Sequence, residues 1–289
     1  MLFKRRQYLE IEDQPWCSEW LVNYIQSYLT YLWGVSLGST PAATVAAKVI
    51  QRQLDAGPYL FIDPCTGAGG PIFGIEKVLN NPDHKDAYNA QFIIGDYKPY
   101  AQGMRNDRPN VTYLIEPMDA TNPEKVSEAL EAREKPLETG QPRQRCWVFN
   151  IAFHHFDDES ARRVLTHISD NADSFIIFEF LQRDFTTLLF AVITTVIPIL
   201  PFIHALGQYK SSRKPLLFFG LTLAVLAFDG FVSIIRCRTP KEIRDLFPRQ
   251  KLHGKSQEWV IESGRERILP LWYLHWTIGK KDSMKMKDL

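Results

Sequence analysis

One stretch constrains this chain more than any other. The apolar run Tyr59-Leu60-Phe61-Ile62 stops at Asp63 and enters Pro64-Cys65-Thr66-Gly67-Ala68-Gly69-Gly70 before Pro71. A short, continuously apolar run cut off by glycines predicts a buried strand feeding a tight turn, and Pro71 suits the first turn of a following helix. Glycine lets backbone approach a ligand closely and adopt dihedrals that other residues avoid. Free amides at the start of the next helix can meet a carboxylate or phosphate.

The same rhythm recurs downstream. Gln91–Ile94 ends near Asp96, Val111–Ile115 ends near Asp119, and Cys146–Ile151 and Ser174–Phe178 follow. Helical stretches at about 100–106, 123–134 and 158–169 separate them. Short apolar strands alternating with helices predict a mostly parallel sheet covered on both faces, hence an α/β fold. Helices are expected over 14–34 and 41–54, as a cap spanning 1–57 on a domain spanning 58–289. Residues 135–145 read as a surface loop. Thr239 caps a helix over about 240–247. Strands around 258–263 and 271–278 would form a terminal hairpin about a charged, glycine-containing turn.

The glycine turn decides between two nucleotide chemistries. A dinucleotide loop has the pattern G-x-G-x-x-G with an acid about 20 residues on. Here Gly67-Ala68-Gly69 is followed by Gly70-Pro71-Ile72, so the third glycine is missing, and Asp63 precedes the glycines. No Gly-Lys-Ser/Thr follows, which excludes a phosphate-binding P-loop. The pattern favours S-adenosylmethionine, with Asp63, Cys65, Thr66, Gly67 and Gly69 as cofactor-binding candidates. Asp96 would accept the ribose hydroxyls and Asp119, with Ala120, the adenine amino group, while Met118 packs on the purine. Asn150 closes the fourth strand beside them. Any one Asp alone reads as a turn former, but all fall at strand carboxyl ends, where open α/β sheets bind ligands.

These residues resemble the class I S-adenosylmethionine-dependent methyltransferase superfamily, with Cys65 standing at that family's first-glycine position. The resemblance implies a Rossmann-like sheet of seven strands, the last antiparallel and inserted beside the fifth. More narrowly, the chain resembles a little-characterised group of bacterial and fungal methyltransferase-domain proteins. That rests on Glu12-Asp13-Gln14-Pro15-Trp16, Asp63–Pro71, Ala152-Phe153-His154-His155-Phe156-Asp157-Asp158, Phe228-Asp229-Gly230 and Ser233-Ile234-Ile235-Arg236. It supports fold and cofactor and supplies no substrate.

In such a fold the acceptor sits above the loop after the fourth strand. Methyl transfer needs donor and acceptor held in line, and an O–H or N–H acceptor also needs a base, for which histidine titrates in the right range. His154 and His155 are the catalytic candidates, with Glu179 at the end of the fifth strand as a third. Their plain alternative is ordering the loop before the helix at Asp157. The aromatics Trp16, Trp20 and Tyr24 are expected to cover the pocket or pack as core.

Cys17, Cys65, Cys146 and Cys237 show no metal-ligand spacing, so neither a metal site nor a disulfide framework is expected, and an intracellular setting follows. Met1–Arg6 has charges but no apolar run behind them, unlike a signal peptide. The tail from Lys280 is polar and expected to fray. A net charge of +1 gives no electrostatic case for nucleic acid. Oligomeric state is not legible.

After the fifth strand an apolar insert spans about 184–236. Residues 185–209 carry no formal charge, and Pro215–Phe228 is a second apolar run. As one helix, 185–209 would reach roughly 37 Å, enough for a ~30 Å hydrocarbon core. Both ends of the insert return to one sheet, so the preferred expectation is an apolar helical hairpin docked on a membrane surface through 185–235, cytoplasmic side. A buried cap and a true crossing are the alternatives. The functional expectation is methyl transfer to a small lipophilic acceptor. Its rivals are another S-adenosylmethionine-assisted reaction and a non-catalytic membrane-associated adaptor.

Overall fold

The computed structural model describes residues 3–36, 38–83, 88–99, 108–134, 137, 139–196, 214–248 and 259–281. Seven strands form one sheet: β1 (Tyr59–Asp63), β2 (Gln91–Ile94), β3 (Val111–Tyr113), β4 (Gln144–Asn150), β5 (Ser174–Glu179), β6 (Trp259–Leu269) and β7 (Trp272–Lys281). Their order is β3-β2-β1-β4-β5-β7-β6. β7 lies antiparallel between β5 and β6, and the other strand pairs are parallel. This is the mostly parallel, Rossmann-like α/β sheet expected from the sequence, with its last strand inserted beside the fifth.

β1, β2 and β5 are buried along their whole length, the physical reason their sequences are continuously apolar apart from end residues such as Asp63, Gln91, Ser174 and Glu179. Alternate residues feed two cores. Phe61, Phe92, Val148 and Ile176 face α2 (Ala42–Gln53) and α3 (Ile72–Leu79). Leu60, Ile62, Trp147 and Phe175 face α4 (Pro123–Glu131), α5 (Asp158–Asn171) and the helix that starts at Pro240. Asp157 caps α5, accepting from the Ser160 amide at 2.7 Å. The strand order reverses about β1, with β2 on one side and β4 on the other, so a crevice opens at their carboxyl ends.

Several expectations are corrected. Gly264-Arg265-Glu266-Arg267 belong to strand β6, not to a turn, and the hairpin turns at Pro270-Leu271. Gly264 is there because Trp276 covers it: a Cβ would sit 2.5 Å from that ring. The first helix, α1, runs over Glu19–Gly34 and starts later than expected. The expected helix at 100–106 lies outside the described residues, as do most of the tail and the link 197–213.

Within the insert two helices are described. α6 (Phe185–Val196) is ~18 Å long. It packs on α7 (Lys214–Arg236), which runs on through Asp229. Among the described residues no single helix is long and apolar enough to cross a membrane. Gly220–Arg236 and α8 (Pro240–Leu246), bent by 62°, have that composition as a pair. Yet Arg236 and Arg238 at the bend donate to the carbonyls of His155 and Phe153, which anchors the bend inside the protein.

Candidate functional site

A cavity of about 530 Å³ opens where the carboxyl ends of β1, β2 and β4 meet, a size in the range of small-ligand sites. Its floor is the glycine loop. Gly67, Gly69 and Gly70 have φ of 53°, 105° and 49°, left-handed values that L side chains avoid. The Gly67 amide donates to Asp96 Oδ2 at 2.8 Å, the Lys98 amide to Asp96 Oδ1 at 2.9 Å, and the Thr66 amide to the Gly95 carbonyl at 2.9 Å. The loop after β1 is thereby latched to the end of β2. Burial raises the Asp96 carboxyl above the ordinary carboxylate range.

Asp63 does not line the cavity. It is fully buried beneath the loop, where it accepts from Asn150 Nδ2 at 2.7 Å and from the Cys65 amide at 3.1 Å. Burial pushes its carboxyl up to about 7 against those two hydrogen bonds and a third from the Thr66 side chain. Asp63 thus braces the loop and Asn150. Gly69 is likewise turned away from the cavity, its amide closing the turn on the Thr66 carbonyl at 2.9 Å. Cys65, Thr66, Gly67, Asp96, Met118, Asp119, Ala120 and Asn150 all line it. Asp119 accepts from the Thr121 amide and hydroxyl, both through Oδ1. Met118 packs against Gly95, where a Cβ would meet its side chain at 3.2 Å.

α1 forms the opposite wall with Val22, Gln26, Leu29, Thr30 and Trp33. Thr30 Oγ1 accepts from the Gly70 amide at 3.2 Å, and a side chain on Gly67 would meet Gln26 at 3.3 Å. The expected covering residues are corrected: Trp16, Trp20 and Tyr24 point to solvent. Gln26, Thr30 and Trp33 were not singled out in the sequence.

The histidines divide. His154 is buried off the cavity, its Nδ1 3.0 Å from Glu179 Oε2. Glu179 is buried with it and does not reach the cavity, so this pair orders the 3₁₀ turn Phe153–His155. Ile151, two residues before that turn, has φ 55°, strain of the kind that clusters at functional sites. His155 alone of the three candidates lines the cavity.

His155 is not a free base. Its Nδ1 lies 3.1 Å from both Glu10 Oε2 and Asp13 Oδ1. Burial opposes its charge, but Glu10, then Asp13 and Glu12, outweigh burial and hold the imidazolium up to about 10. Arg236 Nη1 completes the cluster, 2.7 Å from Glu10 and 2.9 Å from Asp13. Two carboxylates thus face two cations. Glu10, His154 and His155, and also His154, Glu179 and Cys237, come within metal-ligand reach of one another. In the first group Arg236 and the imidazolium already neutralise the charge that would attract a cation.

α7 builds this cluster. Asp229, Ser233 and Arg236 fall at i, i+4 and i+7, hence on one helix face. Asp229 accepts from the amides of Ile11 and Glu12, and Ser233 donates to Glu10 Oε1 at 2.7 Å. Glu12, lining the cavity 3.9 Å from His155 Nε2, is pushed up to about 7 by burial, against the pull of His155 and with Glu10 and Asp229 adding to it. The polar triplet inside an apolar run was the available sequence signal for Glu10, Glu12 and Asp13.

No protein-family model and no curated protein sequence matches the chain. Among solved structures it is similar to a small RNA methyltransferase, HEN1. The two are 10% identical with a TM-score of 0.38 over 84% of this chain, which spans only 26% of that protein. It is also similar to a Zn-dependent alcohol dehydrogenase-like protein from Rhodobacter sphaeroides. There the identity is 14% and the TM-score 0.40, over 91% of this chain and 98% of the other. At such scores neither similarity bears on what this chain does.

Proposed function

We propose that the chain transfers a methyl group from S-adenosylmethionine to a small, lipophilic acceptor. The observation that carries this reading is a pair of buried polar atoms with no partner among the described residues: Gln26 Oε1 and Asn150 Oδ1. Both residues line the cavity above the glycine loop. Buried polar atoms are rarely left unsatisfied, so a polar ligand is the economical explanation.

The donor set fits S-adenosylmethionine. Gln26 and Asn150 offer acceptor oxygens to an ammonium. Asp96 keeps lone pairs for ribose hydroxyls, and Asp119 can accept an adenine amine with Met118 against the ring. When bound, the cofactor supplies the electrophilic methyl group. Val22, Leu29 and Trp33 exclude water, while Ile151 and Phe156 add apolar wall suited to a lipophilic acceptor. His155, as an imidazolium, orients an acceptor oxygen by donating to it. Glu12, a cavity-lining carboxyl that burial holds up to about 7 beside His155, takes the acceptor's proton.

The test is incubation with methyl-tritiated S-adenosylmethionine and a panel of lipophilic alcohols, phenols and amines. Label in the organic extract with matching S-adenosylhomocysteine supports transfer. Cofactor breakdown to other products contradicts it.

A further inference from the structure

The side of α1 turned away from the cavity carries Trp20, Tyr24, Tyr28 and Tyr31, each at least 41% exposed. Spacings of four, four and three residues put them on one helix face. Trp20 and Tyr24 stack with ring centroids 5.8 Å apart, and Trp16, just before the helix, is 72% exposed. A solvated helix face normally carries charge. Here Glu19 is the sole formal charge between Asp13 and Lys48. The patch continues onto α7. Leu21 and Ile25 of α1 pack with Val225, and Leu221 and Phe228, one turn either side of Val225, are 60% and 49% exposed.

We propose that this outer face of α1, with Leu221 and Phe228, docks the protein on a zwitterionic lipid surface. Tyrosine and tryptophan rings, apolar in body and polar at the tip, suit the boundary between headgroup and acyl chain. The neighbouring bare Leu and Phe suit the acyl side. The absence of Lys and Arg along the ridge matches an uncharged headgroup layer and gives nothing to attract an anionic one. The opposite face of the same helix is the cavity wall, through Val22, Gln26, Leu29, Thr30 and Trp33. Docking therefore holds the cavity one helix diameter, ~10 Å, from the lipid boundary. The attachment rests mainly on α1, with only Leu221 and Phe228 from the insert favoured by sequence, and it holds whether or not the cavity performs methyl transfer.

The test is sedimentation of the full chain with phosphatidylcholine vesicles, alongside the triple variant Trp20→Ala, Tyr24→Ala, Tyr28→Ala. The wild type is expected to co-sediment, unaffected by 0.5 M salt or by added phosphatidylserine, and the variant to partition at least about tenfold more weakly. Quenching of wild-type tryptophan emission by brominated lipid, lost in Trp16→Phe, Trp20→Phe, keeps the test decisive if the triple variant misfolds. A wild type that stays in the supernatant overturns the proposal. So does a variant that binds equally well, or light scattering that shows a dimer which the variant dissolves. Calorimetric binding of S-adenosylmethionine, read separately, reports on the cavity and not on docking.

Discussion

The amide of Gly67 donates to Asp96 across 2.8 Å, and with the Thr66 amide on the Gly95 carbonyl this bond joins the glycine loop after β1 to the end of β2. Asp96 is therefore both a latch and a cavity group. Removing it strips a charged acceptor from a ligand and loosens the loop that forms the floor. Asp96→Ala is expected to weaken S-adenosylmethionine binding by about 10- to 100-fold, the worth of hydrogen bonds to a charged group. Calorimetry checks this, with circular dichroism showing the fold retained.

Asp63 is held protonated by its burial more than an unfolded Asp would be, since its folded value of about 7 lies above the ordinary one. A raised acid binds its proton more tightly in the native state, so its contribution to stability falls as pH rises from about 4 to 7. Asp63→Asn should flatten that part of the profile, by at most about 1.4 kcal/mol per pH unit. Urea unfolding at pH 5 and pH 7 measures it. An unchanged slope would mean that Asp63 titrates normally.

His155 works in the opposite sense from a general base. Its folded value of about 10 lies above the ordinary 6.5. Its stabilisation is thus fully present below pH 6.5 and is lost as pH rises toward 10. The imidazole carbon-bound protons of His155, followed by NMR, should show no titration between pH 6 and 8. A midpoint near 6.5 would restore the base role expected from sequence.

Glu10 is fully buried between Arg236 and His155. Breaking one partner of a buried ion cluster leaves the others uncompensated, so Glu10→Gln is expected to cost about 3–5 kcal/mol. Chemical denaturation measures it. A loss below 1 kcal/mol would show that the segment from Glu10 to Asp13 is not anchored by α7.

A Cβ on Gly279 would lie 2.1 Å from the Phe175 ring, at the junction of β5 with the antiparallel β7. Gly279→Ala should destabilise by about 1–3 kcal/mol through overpacking. Thermal melting tests whether this glycine is required by its neighbour.

The parallel strands and the glycine loop were legible because they depend on local pattern. Buried strands must be apolar throughout, and a tight turn at a strand end must contain glycine. Of the cluster around His155 only the polar triplet on α7 was legible, because Glu10 and Arg236 are 226 positions apart and only the packing of α7 brings them together. Gly264 was misread for a related reason. Glycine beside charges looks like a turn, and nothing local shows that Trp276 needs the space. Asp63 and His154 were correctly placed at strand ends, but whether a side chain faces the cavity or the bracing layer depends on a loop path that spacing does not encode.

The measurement that bears most directly on the central claim is calorimetric titration of the full chain with S-adenosylmethionine and S-adenosylhomocysteine, repeated with Gln26→Leu. One-site micromolar binding, weakened when the unpartnered Gln26 oxygen is removed, is the expected result. A folded protein that binds neither compound would contradict the assignment of the cavity.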